Sequence, residues 1–202
     1  MSVSRSKHHR NAMNMIVGAC CLGLTLCSLS IHAQHTYHVS NNGNDALSGF
    51  SPDDAWTSLD ALNDQPFVPG DSILFERGGT WLGMFHLQGS GAEEAPIVVG
   101  AYGNATQPRP TLDGDGYQAS LLIYNDSHIV VQDLDFTNQA SHLDDNGEVK
   151  KLPTFLGETN DWGSGKNVRF GIKVVADAST VKDFVFRDVK LHDIYPLSLI
   201  HI

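Results

Sequence analysis

The chain has 202 residues, of which 41% are hydrophobic and 18% charged, so it can bury a core and is too apolar for a disordered tail. With 13 Lys and Arg against 23 Asp and Glu its net charge is −10. That balance speaks against a general nucleic-acid binder, which needs a basic surface to meet phosphates.

The first element runs from a basic group, Arg5, Lys7 and Arg10, through an apolar stretch from Met13 to Leu29, to Ile31-His32-Ala33. Basic, apolar and small-residue regions in that order are the layout of a secretory signal peptide. Residues 1–33 are expected to be removed by cleavage after Ala33, with a secreted or periplasmic destination. The competing reading is a membrane anchor, but the clean apolar run is shorter than the ~20 residues a span needs. No later segment is apolar enough to span, so no membrane association is expected after cleavage. Cys20, Cys21 and Cys27, the three cysteines, all fall in this segment, so the exported chain must hold together by packing without disulfides. It would keep 10 basic and 23 acidic residues, a charge of −13.

Residues 34–70 form a lead-in segment. Thr57 or Ser58 can cap a short helix whose apolar face is Leu59 and Leu62, spaced i, i+3. Such a helix would cover the open apolar end of whatever repeats after it. Asn41-Asn42-Gly43-Asn44-Asp45 here, and Asp113-Gly114-Asp115-Gly116 later, are oxygen-rich. Neither follows the spacing of an EF-hand loop, and both read as turns. His86, His128, His142 and His192 are too scattered to form a ligand motif, so no metal site is assigned.

From residue 71 to 196 short β-type runs alternate with Gly, Asn, Asp and Pro. They include Ser72-Ile73-Leu74-Phe75, Pro96-Ile97-Val98-Val99, Ser120-Leu121-Leu122-Ile123-Tyr124 and Gly171-Ile172-Lys173-Val174-Val175. Leu74, Val98 and Leu122 stand 24 residues apart, and a fixed period of this size predicts an all-β solenoid. Residues 129–136 match residues 184–191, 55 positions on. The surplus is expected to be an outward loop, about 138–167, holding Trp162; one irregular extra turn is the alternative. In the matched pair Ile129/Phe184, Val131/Phe186, Leu134/Val189 and Phe136/Leu191 should point inward, with Val130/Val185 and Asp135/Lys190 outward. Asp133 and Asp188 fall between strands, where a tight corner favours Asp, and read as corner residues in preference to a glycosidase dyad.

Several stretches carry a family resemblance: "YHVSNNGNDALSGFSPDDAWTSLDAL", "PGDSILFERGGTW", "GSGAEEAPIVVGAYG" and "PRPTLDGDG". They resemble the start of secreted bacterial right-handed parallel β-helix proteins of the pectate-lyase-like superfamily, over about Tyr37 to Asp193. The resemblance implies a right-handed parallel β-helix with an N-terminal capping helix, acting on polysaccharides and monomeric when complete. Its motifs are architectural and do not select a reaction.

The resemblance points first to a polysaccharide lyase acting on uronate-containing glycans. Such an enzyme removes the proton α to a carboxylate with a base, usually Lys or Arg in this fold, and neutralises the carboxylate with Ca²⁺ or Arg. Lys166, Arg169, Lys173, Lys182, Arg187 and Lys190 crowd into residues 166–190 against Asp177, Asp183 and Asp188. A local basic face of this kind would suit a polyanionic sugar. The catalytic candidates are Lys173, Arg187 and His192; the substrate-contact candidates are Arg169, Lys190 and Trp162; Ca²⁺ is the cofactor such an enzyme would use when complete. The bland alternative for Lys190 is cross-strand pairing with Asp135. The rival functions are glycoside hydrolysis by paired carboxylates and a non-catalytic glycan-binding or surface β-helix.

Residues 197–202, Leu-Ser-Leu-Ile-His-Ile, match the translation of a sequencing-library adapter end. Native sequence is therefore expected to stop near Tyr195 or Pro196, truncating the C-terminal side. Only about four turns are then present, and the resemblance places catalytic residues in turns farther along.

Overall fold

The computed structural model describes residues 33–139, 145, 147–150, 152, 168–195 and 200–201. The chain divides into Met1–Ile31 and His32–Ile202, and every described residue belongs to the second unit. The expected signal peptide, Trp162, Lys166, most of the expected inserted loop, and residues 197–199 and 202 lie outside the described residues.

Nearly all regular structure is β. The strands are β1 (Thr36–Val39), β2 (Ser72–Glu76), β3 (Thr80–Leu82), β4 (Phe85–Leu87), β5 (Ile97–Tyr102), β6 (Thr111–Asp113) and β7 (Ala119–Tyr124). They continue with β8 (Ile129–Gln132), β9 (Asp135–Asn138), β10 (Phe170–Val175), β11 (Phe184–Arg187), β12 (Lys190–Ile194) and β13 (Ile200–His201). All pair in parallel, in three sheets: β1-β2-β5-β8-β11, β3-β6-β9-β12 and β4-β7-β10-β13. From β2 onward the chain visits the first, second and third sheets in turn and then returns to the first.

Alternation decides what each strand buries. In β2, Ile73 and Phe75 are fully buried while Ser72, Leu74 and Glu76 are only half covered. The matched pair behaves as its sequence predicts: Phe184 pairs with Ile129, Phe186 with Val131, Lys190 with Asp135 and Leu191 with Phe136. The 24-residue spacing does not. Val98 pairs with Ser72, so Leu74 lies opposite Gly100, and Leu122 belongs to the third sheet, where its neighbours are His86 and Lys173. Turn lengths differ from one coil to the next, so an equal spacing of apolar runs marked strands without marking which of them stack.

The corners use left-handed backbone. Asp133 (φ 58°) and Asp188 (φ 53°) occupy equivalent corners, as do His128 (φ 57°) and Asp183 (φ 61°). Asp tolerates this region better than most residues because its short side chain satisfies nearby amides.

The main core collects the inward side chains of all three sheets. Near its N-terminal end it is aromatic, with the Tyr37 and Trp56 rings 5.2 Å apart and Phe75 and Trp81 5.0 Å apart. Helix α1 (Leu59–Asn63) is capped by Ser58, whose hydroxyl accepts from the Ala61 amide at 3.2 Å. Leu59 and Leu62 are buried in this core. Asn63 ties the helix to β4: its amide donates to the Met84 carbonyl (3.0 Å) and its Oδ1 accepts from the His86 amide (2.8 Å). A second apolar cluster, Met84, Ala119, Leu122 and Phe170, lies on the other face of the third sheet, with Leu152, Val168 and Val175 packed on it. That face is therefore covered, and β10 is buried from Phe170 to Val174. Among the described residues no helix is long and apolar enough to cross a membrane.

Candidate functional site

The expected basic face does not exist as one surface. Arg187 ends β11 in the first sheet, Lys190 and His192 lie on β12 in the second, and Lys173 sits on β10 in the third. Strands consecutive in sequence turn onto different sheets, so charges clustered along 25 residues are dealt out to different sides. Two of them are also interior. Lys173 has no exposed surface; its ammonium lies 4.8 Å from the centre of the Phe170 ring and 3.4 Å from Gln118 Oε1. Arg169 is 1% exposed and donates to the Gln139 carbonyl, and burial lowers its pKa. Neither is positioned to meet a polysaccharide lying on the surface. His192 is half-buried, with Nδ1 2.8 Å from Asp193 Oδ2.

Arg187 and Lys190 flank the corner between the first and second sheets. Arg77, Arg109, Asp133 and Asp135 meet at the same corner. Asp133, at that corner, receives Arg77 on Oδ2 (3.2 Å) and Arg109 on Oδ1 (3.7 Å). Arg109 also approaches Asp135 Oδ1 at 3.9 Å, a buried oxygen with no hydrogen-bond donor. Arg187 Nε donates to Gln132 Oε1 at 2.7 Å, one coil below, and Lys190 pairs in register with Asp135. The result is a ledge on which Arg77 and Arg109 from two coils meet Asp133 and Asp135 of the next, with Arg187 and Lys190 on the coil beyond. Such a ledge offers both donors and acceptors to a polar ligand. Arg77 directly follows β2 and Arg109 lies two residues before β6, the same corner that Asp133 occupies. Only the register, which the spacing misjudged, brings them to Asp133.

The oxygen-rich turns are engaged within the fold. Asn41 brackets Thr80, accepting from its amide and donating to its carbonyl. Burial pushes the Asp45 carboxyl up, but hydrogen bonds from Ser58 and the Thr57 amide outweigh this and its pKa is lowered. Asp113 Oδ1 accepts from the Asp115 amide, and Asp115 pairs with Lys150 at 2.7 Å. Among the described residues no group of three or more His, Cys, Asp or Glu is placed to hold a metal ion.

The chain matches no family model. Among characterised proteins it resembles a lacto-N-biosidase of Bifidobacterium longum subsp. longum, 27% identical over 190 residues that take in 79% of this chain and 12% of that protein. Two crystal structures of GH136 lacto-N-biosidase from Eubacterium ramulus match in fold. The selenomethionine form does so at 27% identity and a TM-score of 0.63, the native form at 26% and 0.62. Each match covers 79% of this chain and 27% of that one. A rhamnogalacturonan lyase matches at 18% identity and a TM-score of 0.46, too distant to carry weight. The chain thus spans about an eighth of the Bifidobacterium protein and about a quarter of the solved one. It is related in sequence and in β-helix-type fold to glycoside hydrolases, which the pectate-lyase-like resemblance had set second.

Proposed function

We propose that this protein is a carbohydrate-active β-helix protein of the glycoside hydrolase type, engaging an oligosaccharide along its flank. The observation that carries this reading is the likeness to GH136 lacto-N-biosidases over 79% of the chain, in sequence and fold together. The lyase expectation gives way, because Lys173, Arg187 and Lys190 fall on three different sheets and Arg169 and Lys173 are inside. Hydrolysis would proceed through paired carboxylates flanking the scissile bond.

Finer features belong to the same proposal. The fixed rotation of the chain through three parallel sheets supports a solenoid, and parallel crossovers favour the right hand. The burial of Leu59 and Leu62 supports α1 as the cover of its first coil. Residues 1–33 act as a cleaved export signal, 34–70 as the lead-in and 71–196 as the coils, with an inserted loop at about 138–167.

The deciding experiment offers the protein a chromogenic lacto-N-bioside alongside pectate and alginate. Release of the chromophore without unsaturated products is the expected result. Unsaturated products from a polyuronate, with no release from the lacto-N-bioside, would overturn it.

A further inference from the structure

At the ends of β1, β2 and β5, next to Arg77 of the charged ledge, the register brings Ser40, Glu76 and Tyr102 side by side. Val39 pairs with Phe75 and Glu76 with Tyr102, which sets the three residues in one row. Ser40 Oγ donates to Glu76 Oε2 at 2.5 Å and accepts from the Asn42 amide at 3.1 Å. The segment after β1 folds over this row and leaves a cleft of about 400 Å³. Asn42, Leu47 and Asp53 line it from the segment, and Ser40, Glu76 and Tyr102 from the sheet. That volume falls in the range of small-molecule sites, roughly 300–1,000 Å³.

The segment over the cleft is held by hydrogen bonds to main-chain carbonyls. The Gly43 amide donates to the Ser40 carbonyl (2.9 Å), the Asn44 amide to the Ala55 carbonyl (2.8 Å) and Trp56 Nε1 to the Leu47 carbonyl (2.9 Å). A Cβ on Gly43 would lie 2.3 Å from the Trp56 carbonyl oxygen, so the segment follows one path. A preformed cleft spares a ligand the cost of ordering it.

Its chemistry is specific. Glu76 and Asp53 supply carboxylate acceptors. The Tyr102 hydroxyl stays a donor, because burial, followed by the charge of Glu76, pushes its pKa up to about 12 against a smaller opposing pull from Ser40. The Tyr102 ring, with the His38 ring edge-on to it at 5.0 Å, and the 41%-exposed Leu47 add apolar surface. Hydroxyls along an edge and C–H groups across a face are what a sugar ring presents to such a set. Two carboxylates in one cleft repel an anionic sugar.

We propose that this cleft is a binding subsite for one uncharged pyranose unit of a glycan, with Glu76 and Asp53 accepting from its hydroxyls and Tyr102 donating and stacking. The choice of ligand class rests on the carbohydrate reading above. The subsite itself does not require that the protein hydrolyse anything.

Saturation-transfer NMR and calorimetry on the 202-residue chain would use galactose, N-acetylglucosamine and glucuronate as probes. One of the neutral sugars should bind, and glucuronate at least tenfold more weakly. Glu76→Gln, Tyr102→Phe and Asp53→Asn should each weaken that binding fivefold or more, Asp53→Asn without changing the thermal transition. Asp53 lies exposed on a short turn outside the sheets, so Asp53→Asn decides the matter should the other two fail to fold. Absent neutral-sugar binding, equal affinity for glucuronate, or wild-type binding by Asp53→Asn would each overturn the subsite. So would Ca²⁺ displacing the sugar. Sugar binding without chromophore release would leave the subsite standing and remove only the hydrolase reading; release unaffected by the three variants, with sugar binding equally unaffected, would do the reverse.

Discussion

Gly114 and Asn138 touch so closely that no side chain fits between them: a Cβ on Gly114 would lie 2.4 Å from Cγ and Nδ2 of Asn138. The proximity lets the fully buried Asn138 amide join three segments. Its Nδ2 donates to the Tyr117 carbonyl (2.8 Å) and the Phe170 carbonyl (3.2 Å), and its Oδ1 accepts from the Gly116 amide (3.2 Å). Asn138→Ala strands these backbone groups and should cost about 3 kcal/mol. Gly114→Ala should be destabilising in the same direction by displacing the amide. Urea unfolding checks both, and a wild-type midpoint for Asn138→Ala would contradict the bridging role.

The contrast between Lys173 and Arg187 gives a second expectation. Lys173→Ala empties a fully buried position beside Phe170 and Gln118 and should cost about 2 kcal/mol or more. Arg187→Ala removes an exposed side chain with one bond to Gln132 and should cost under about 1 kcal/mol. Polyuronate binding should be the same for both variants and wild type. Paired chemical denaturation and a binding titration measure this directly.

At the Asp188 corner, the backbone sits at φ 53°. Asp188→Asn should leave stability within about 0.5 kcal/mol, since Asn accepts this conformation, whereas Asp188→Val should lose about 1–2 kcal/mol through the β-branched clash. Equal stabilities would show that the corner relaxes.

Two titrations have a definite sign. Tyr102 keeps its proton in the folded state up to about pH 12, against 10 for an ordinary tyrosine. Its contribution to stability is therefore complete below pH 10 and lost as the pH climbs toward 12. Of the five tyrosines, one ultraviolet tyrosinate component near pH 12 should vanish in Tyr102→Phe. Asp177 behaves oppositely. Hydrogen bonds from Tyr124, then Asn125, lower its pKa, so its support for the loop at 176–180 is present above the ordinary carboxylate range and lost on acidification below it. The Ala178 amide donates to Asn125 Oδ1 at 3.1 Å, and its hydrogen-exchange protection, measured against the intrinsic rate at each pH, should fall as the pH drops below the ordinary carboxylate range.

Much of the fold was legible because its rules are local. Alternation along a strand has period two, so Ile129, Val131 and Phe136 were identifiable as inward without knowing their neighbours. Ser58 caps α1 through its own hydroxyl, and Asp133 and Asp188 turn corners through their own backbone preference. The ledge and the cleft were not legible, because each joins residues from different coils.

What the sequence determined by itself was therefore the strand-forming character of each run, the inward and outward sides of the strands, and the residues able to turn or cap. Tertiary structure alone decided which runs stack. It set Ser72 against Val98 where equal spacing had put Leu74, and it put Lys173, Arg187 and Lys190 on three different sheets. It also brought Arg77 to Asp133, and Glu76 between Ser40 and Tyr102. The physical reason is that register between coils depends on the summed length of intervening turns and on the fit of inward side chains across the core. Neither quantity is carried by any single stretch of the chain.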